Sequence, residues 1–196
     1  MVKGSGVGPV PARWRNDIER VLISKAEIAA HVEALAQQIR GDFAGRDLVV
    51  VAILNGTVMF LADLIRRLSM PLRLDFIGVS SYRAGTASGE LVFTKELRLD
   101  VAGRDVLLVD DILDTGKTLA RVIRRLRKAK PRCVKSCVLL EKPARRVEAI
   151  KADYVGFAIP DLFVVGYGLD YAERYRNLPF IGVLHPHMYR TEKGSK

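Results

Sequence analysis

The run Val106-Leu107-Leu108-Val109-Asp110-Asp111-Ile112-Leu113-Asp114-Thr115-Gly116-Lys117-Thr118-Leu119 constrains this chain more than any other stretch. Four apolar residues in a row fit a strand buried on both faces, as in a parallel sheet covered by helices. Leu119, Val122, Ile123 and Leu126 then recur at helical spacing, so the strand is expected to stop at the acids and a helix to begin just beyond them. Thr115, Gly116, Lys117 and Thr118 occupy the junction. At a helix start, unpaired backbone N–H groups and the positive end of the dipole favour an anion. Gly116 lets the backbone approach that anion, and two threonine hydroxyls add donors. A nucleoside-triphosphate loop would need glycine at position 111, which is Asp. Acids beside an anion site suit a ligand with hydroxyls as well as a phosphate: Asp110 and Asp111 can accept hydrogen bonds from a ribose diol while the loop holds a 5-phosphate. The same acids also satisfy the simpler reading of a strand end capping the next helix.

The pattern recurs upstream. Residues 48–54 form a second continuous apolar run, followed by Asn55-Gly56-Thr57 and a helical stripe of Val58, Leu61, Ala62, Ile65 and Leu68. Ser24-Lys25-Ala26-Glu27 is a capping box, and Ile28, Val32, Leu35 and Ile39 give its helix a buried stripe, on which His31 reads as structural. Residues 71–79, 104–110 and 132–140 supply further strands. Strands alternating with helices predict an α/β fold with a parallel twisted sheet, helices on both faces and ligands at the carboxyl ends of the strands. A 196-residue chain that is 49% hydrophobic is sufficient for one domain, expected over 16–190, with 1–15 as a flexible arm and 191–196 as a tail. No apolar run approaches the ~20 residues that span a bilayer, and the first residues lack the apolar core of a secretory signal, so a cytoplasmic protein is expected. Cys133 and Cys137 share one face of a strand and read as reduced packing residues. The formal net charge of +10 suits anionic ligands and is equally compatible with nucleic acid. Much of it falls at Lys117, Arg121, Arg124, Arg125, Arg127, Lys128 and Lys130, around an apolar stripe and without interleaved aromatics, which favours a solvated helix face over an RNA platform.

The segment around Asp110 to Thr118 resembles the signature by which type I phosphoribosyltransferases bind phosphoribosyl pyrophosphate (PRPP). The later stretch Val155-Gly156-Phe157-Ala158-Ile159-Pro160-Asp161-Leu162-Phe163-Val164-Val165-Gly166-Tyr167-Gly168-Leu169-Asp170-Tyr171, followed by Arg176, is similar to the hypoxanthine-guanine branch. The resemblance covers residues 18–184 and implies a small hood built from the chain ends, a homodimer or homotetramer, and a purine salvage reaction. In that reaction PRPP and a purine base give a nucleoside monophosphate (IMP or GMP) and pyrophosphate, with Mg²⁺ supporting the departing charge.

By the same resemblance, Asp110, Asp111, Asp114, Thr115, Gly116, Lys117 and Thr118 bind the ribose and 5-phosphate. Asp114 matches the general base that takes the purine's imidazole proton, and its residue type also fits a helix cap. Asn55 and Gly56 match the pyrophosphate loop, although the family's better-known members carry Lys or Arg where this chain has Asn55. Arg176 matches the pyrophosphate-binding arginine and is the charge available to compensate. Lys142 matches the donor to the 6-oxo group; by itself it reads as a snorkelling surface lysine. Phe163 would stack on the purine and the Val164 backbone would read its edge, while both otherwise look like core. Asp170, with Asp110 and Asp111, would hold Mg²⁺. Ser81 and Tyr82 match a pair in the family's lid, so residues 80–89 are expected either to close over substrate or to form a plain loop. His185 and His187 lack further ligands nearby in the sequence and are not read as a metal pair. The competing class is an RNA-binding transcriptional regulator on the same scaffold.

Overall fold

Every strand expected from an apolar run forms in the computed structural model, which describes residues 9–81 and 91–189. In chain order the elements are β1 (Ile18–Ile23), α1 (Lys25–Asp42), β2 (Leu48–Leu54), α2 (Val58–Ile65), β3 (Leu72–Ser81), β4 (Leu91–Lys95), β5 (Asp105–Leu113), α3 (Lys117–Lys128), β6 (Cys133–Glu141), β7 (Tyr154–Ala158), β8 (Val164–Val165) and β9 (Ile181–Leu184). Six strands make the main sheet in the order β4-β3-β2-β5-β6-β7. All its pairings are parallel except the antiparallel β3–β4 edge.

The alternation of side chains divides the core in two. Val50, Ala52, Leu107, Val109, Cys137 and Leu139 face the side covered by α1 and α2. Val49, Val51, Val106, Leu108 and Val138 face α3. Burial on both faces is why these strands read as continuous apolar runs rather than alternating ones. Cys137 is fully buried and Cys133 packs partly against the same cluster, and burial pushes the Cys137 thiol far above its ordinary range, consistent with an inert packing group. The predicted capping box closes α1: Glu27 N–H donates to Ser24 Oγ at 3.2 Å and Ser24 N–H to Glu27 Oε2 at 2.8 Å. His31 contacts the Gly156 carbonyl at 2.9 Å and stacks on Phe157, the structural role expected of it.

Three features differ from the expectation. The strand does not stop at the acids: β5 runs on to Leu113, because the ladder to β6 continues through Asp110↔Val138 and Ile112↔Leu140. The edge strand β4 is added, a short run with alternating burial that an apolar-run criterion passes over. Within the segment expected to be an arm, Ala12–Trp14 form a 3₁₀ turn, and Trp14 sets its ring 5.9 Å from that of Tyr175. Val10 and Trp14 pack against the second, three-stranded sheet, order β1-β9-β8, in which the two ends of the chain pair antiparallel as a hood. No helix among the described residues is long and apolar enough to cross a membrane.

Candidate active site

The carboxyl ends of β2 and β5 open into a cleft of about 360 Å³. Its walls are the 53–56 loop, the 110–119 segment, Asp170 and Arg176. Sequence order scatters these residues, but parallel strands put every strand-to-helix turn at one edge of the sheet.

At the floor, Asp110 and Asp111 are held by short local contacts: Asp111 N–H donates to Asp110 Oδ1 at 3.0 Å, and Ile112 N–H to Asp111 Oδ1 at 2.7 Å. Burial, and next the neighbouring Asp111 charge, push Asp110 well above the usual carboxylate range; burial raises Asp111 as well, and the Arg176 charge partly opposes it. Two adjacent acids, one buried and one partly buried, resist ionising together, which is the state a cation or hydroxyl donors would relieve.

The 53–56 loop, where the Leu54–Asn55 peptide is cis, is pressed between two other segments at Gly56. A Cβ at Gly56 would fall 1.7 Å from Asp111 Oδ2, and one at Gly168 would fall 2.0 Å from the Gly56 carbonyl. Both positions therefore require glycine, and Gly168 also has φ +102°. The need for Gly168 comes from a contact across the fold and was missed in the sequence.

The β5–α3 turn ends at Gly116, the cap of α3, whose φ of +86° and close approach to Ile150 Cγ2 exclude a side chain. The turn is clamped from the segment after β6: Lys142 N–H donates to the Leu113 carbonyl, Arg146 Nη1 to the Leu113 and Asp114 carbonyls at 3.1 and 2.7 Å, and Val147 and Glu148 N–H to the Thr115 carbonyl. These bonds hold the turn from one side, and at the start of α3 Lys117 N–H reaches Thr115 Oγ1 at 3.5 Å.

Asn55, Gly56, Asp110, Asp111, Asp114, Thr115, Gly116, Thr118, Asp170 and Arg176 thus come together as wall residues. Lys117 does not: as the first residue of α3 it is exposed and outside the lining. Lys142, Phe163 and Val164 also lie outside that lining. Lys142 is nearly buried and sits 3.5 Å from Asp161. Phe163 is 36% exposed, with its edge against Tyr171 and its face stacked on Tyr189 at 4.6 Å. Val164 is buried in the hood strand β8. Ser81 ends β3, and Tyr82 and the rest of the expected lid up to residue 89 lie outside the described residues.

Among the described residues no group of three or more His, Cys, Asp or Glu is arranged to hold a metal ion. Asp170 instead pairs with Arg176 at 2.9 Å and accepts from Glu173 N–H at 3.0 Å, and Arg176 also donates to the Gly168 carbonyl at 2.8 Å. The rings of His185 and His187 stack on each other, 5.2 Å apart.

A largely parallel sheet with helices on both faces and a cleft at the carboxyl ends of its strands defines a protein of the α/β class. Residues 22–172 match the phosphoribosyl transferase domain. The hypoxanthine-guanine phosphoribosyltransferase of Bacillus subtilis is 46% identical over 90% of this chain and 99% of its own. The solved hypoxanthine phosphoribosyltransferase of Staphylococcus aureus superposes with a TM-score of 0.88 at 44% identity, covering 93% of this chain and all of that one. A bifunctional TilS/HprT protein of Listeria innocua is 49% identical over 89% of this chain, which spans about a quarter (27%) of that protein's length. The chain belongs to the phosphoribosyltransferases, in their hypoxanthine-guanine branch.

Proposed function

We propose that this protein transfers the 5-phosphoribosyl group of PRPP to hypoxanthine or guanine, giving IMP or GMP and releasing pyrophosphate. The observation that carries this reading is the convergence of the Asp110–Asp111 pair, the Thr115–Thr118 turn and Arg176 in one cleft. Backbone amides in the first turn of α3 and the Thr115 and Thr118 hydroxyls receive the 5-phosphate. Asp110 and Asp111 accept from the ribose hydroxyls and, as anions, stabilise positive charge developing on the sugar. The Asn55–Gly56 loop and Arg176 receive pyrophosphate, with Arg176 supplying the positive charge that Asn55 lacks. Asp114 takes the proton from the purine's imidazole ring, Lys142 donates to the 6-oxo group, and Phe163 stacks on the ring, with the Val164 backbone at its edge.

The oxygen donors of Asp110, Asp111 and Asp170 suit Mg²⁺, which is bound by one or two carboxylates together with substrate phosphates and water, in keeping with carboxylates that share a cleft without forming a complete cage. When bound, the ion neutralises charge on pyrophosphate.

The test is nucleotide formation by the purified protein with PRPP, Mg²⁺ and each purine in turn. Hypoxanthine and guanine should be converted and adenine rejected by ~10³ or more, because an ammonium that only donates finds no acceptor in adenine's 6-amino group. Comparable use of adenine, or tight RNA binding with no nucleotide formed from any purine, would overturn the reading.

A further inference from the structure

Arg145 has no role in the site as described so far. It closes the short 3₁₀ turn Pro143–Arg145 that follows Lys142. Its Nε lies 3.2 Å from Asp114 Oδ1 and its Nη1 3.7 Å from Asp161 Oδ2, while Lys142 Nζ lies 3.5 Å from Asp161 Oδ1. The side chains of Lys142, Asp161, Arg145 and Asp114 therefore form one chain of alternating charge. Its two ends are the groups assigned above to the 6-oxo group and to the imidazole proton of the purine, which lie along one edge of the base when that proton is carried at N7. Only Oδ1 of Asp114 is held by a side chain; among the described residues Oδ2 has no hydrogen-bond partner, which leaves it for the proton at N7.

We propose that Arg145 is a positioning residue that fixes the Asp114 carboxylate relative to Lys142, so that base and donor meet the O6–N7 edge of a 6-oxopurine together. The inference rests on the enzymatic reading of Asp114 and Lys142. Arg145 and Asp114 are 48% and 36% exposed, so the pair adds little to the stability of the free protein. Its effect grows when bound substrates displace water and lower the local dielectric. A residue that served only the fold would show itself in stability; a positioning residue shows itself in turnover.

The experiment compares wild type with Arg145→Ala, Arg145→Lys and Asp161→Asn, with hypoxanthine as acceptor. Arg145→Ala should lower kcat by about tenfold to a hundredfold while leaving the KM for PRPP within about twofold and the thermal midpoint nearly unchanged. Arg145→Lys, which keeps a cation in reach of Asp114, should recover most of the loss, as should guanidinium added to Arg145→Ala. Asp161→Asn should lower kcat in the same sense by less. Unchanged kcat in Arg145→Ala overturns the proposal, as does a fall matched by a rise in the KM for PRPP, or one that neither lysine nor guanidinium restores. A wild type that makes no nucleotide removes the enzymatic reading and this inference with it, whereas an active wild type indifferent to Arg145 removes the positioning role alone.

Discussion

Asp110 and Asp111 project from a strand buried on both faces, whereas Lys142, Asp161 and Phe163 sit on connections at the rim. The first pair is fixed by backbone hydrogen bonds and by its fit against Gly56, which Gly168 braces in turn. The second group is fixed by ion pairs between partly exposed side chains and by ring stacking with Tyr171 and Tyr189. The acid pair, proposed above to meet the sugar-phosphate, therefore cannot shift without disturbing the sheet. The group proposed to meet the purine can change its half-exposed members Asp161 and Arg145 at little cost to the fold, because exposed ion pairs contribute about 0–1 kcal/mol each. Such a division suits a protein that holds one donor by rigid structure and selects its acceptor with replaceable groups.

The largest expected effect falls where the halves meet. Asp114→Asn should lower kcat for nucleotide synthesis by ~10² or more with PRPP binding almost intact, since a positioned base acts in the transition state and phosphate contacts come from the turn. Steady-state kinetics beside calorimetric titration with PRPP would check this, and unchanged turnover would remove Asp114 from the mechanism.

A smaller effect distinguishes the rigid half by its stability. Burial raises both acids of the floor, so the folded protein binds more protons than the unfolded chain between the ordinary carboxylate range and the raised values. Across that window, rising pH removes stability. Asp110→Asn, which deletes the buried charge, should raise the melting temperature of the ligand-free protein by a few degrees at neutral pH and flatten its pH dependence, while activity falls. Melting curves from pH 4 to 8 would test it, and a destabilised variant with unaltered pH dependence would contradict it.

The two halves were also unequally legible in the sequence. The sugar-phosphate half could be read because it is local: an apolar run, two acids and a Thr-Gly turn lie within one short stretch, and the 48–54 run forms its strand with the expected bounds. The expected stop at Asp110 was too early, because acids at the carboxyl end of a strand can remain in the ladder when they face a cleft. The purine half rests on contacts between residues far apart in sequence. Asp161 meets Lys142 across 19 positions and Arg145 meets Asp114 across 31. No spacing rule selects Arg145 among its basic neighbours, and Gly168 becomes obligatory only where the Gly56 carbonyl approaches it. Trp14 likewise reads as part of an arm until the hood supplies Tyr175 beside it.

The separation of the two halves is tested most directly by Lys142→Met, assayed for PRPP affinity in the presence of Mg²⁺ and for kcat/KM with hypoxanthine, guanine and adenine. The account predicts PRPP affinity within about twofold of wild type, weaker use of both 6-oxopurines, and a gap to adenine narrowed by at least about tenfold, because the donor facing position 6 is gone. Loss of PRPP affinity in step with purine use, or an undiminished preference over adenine, would contradict it.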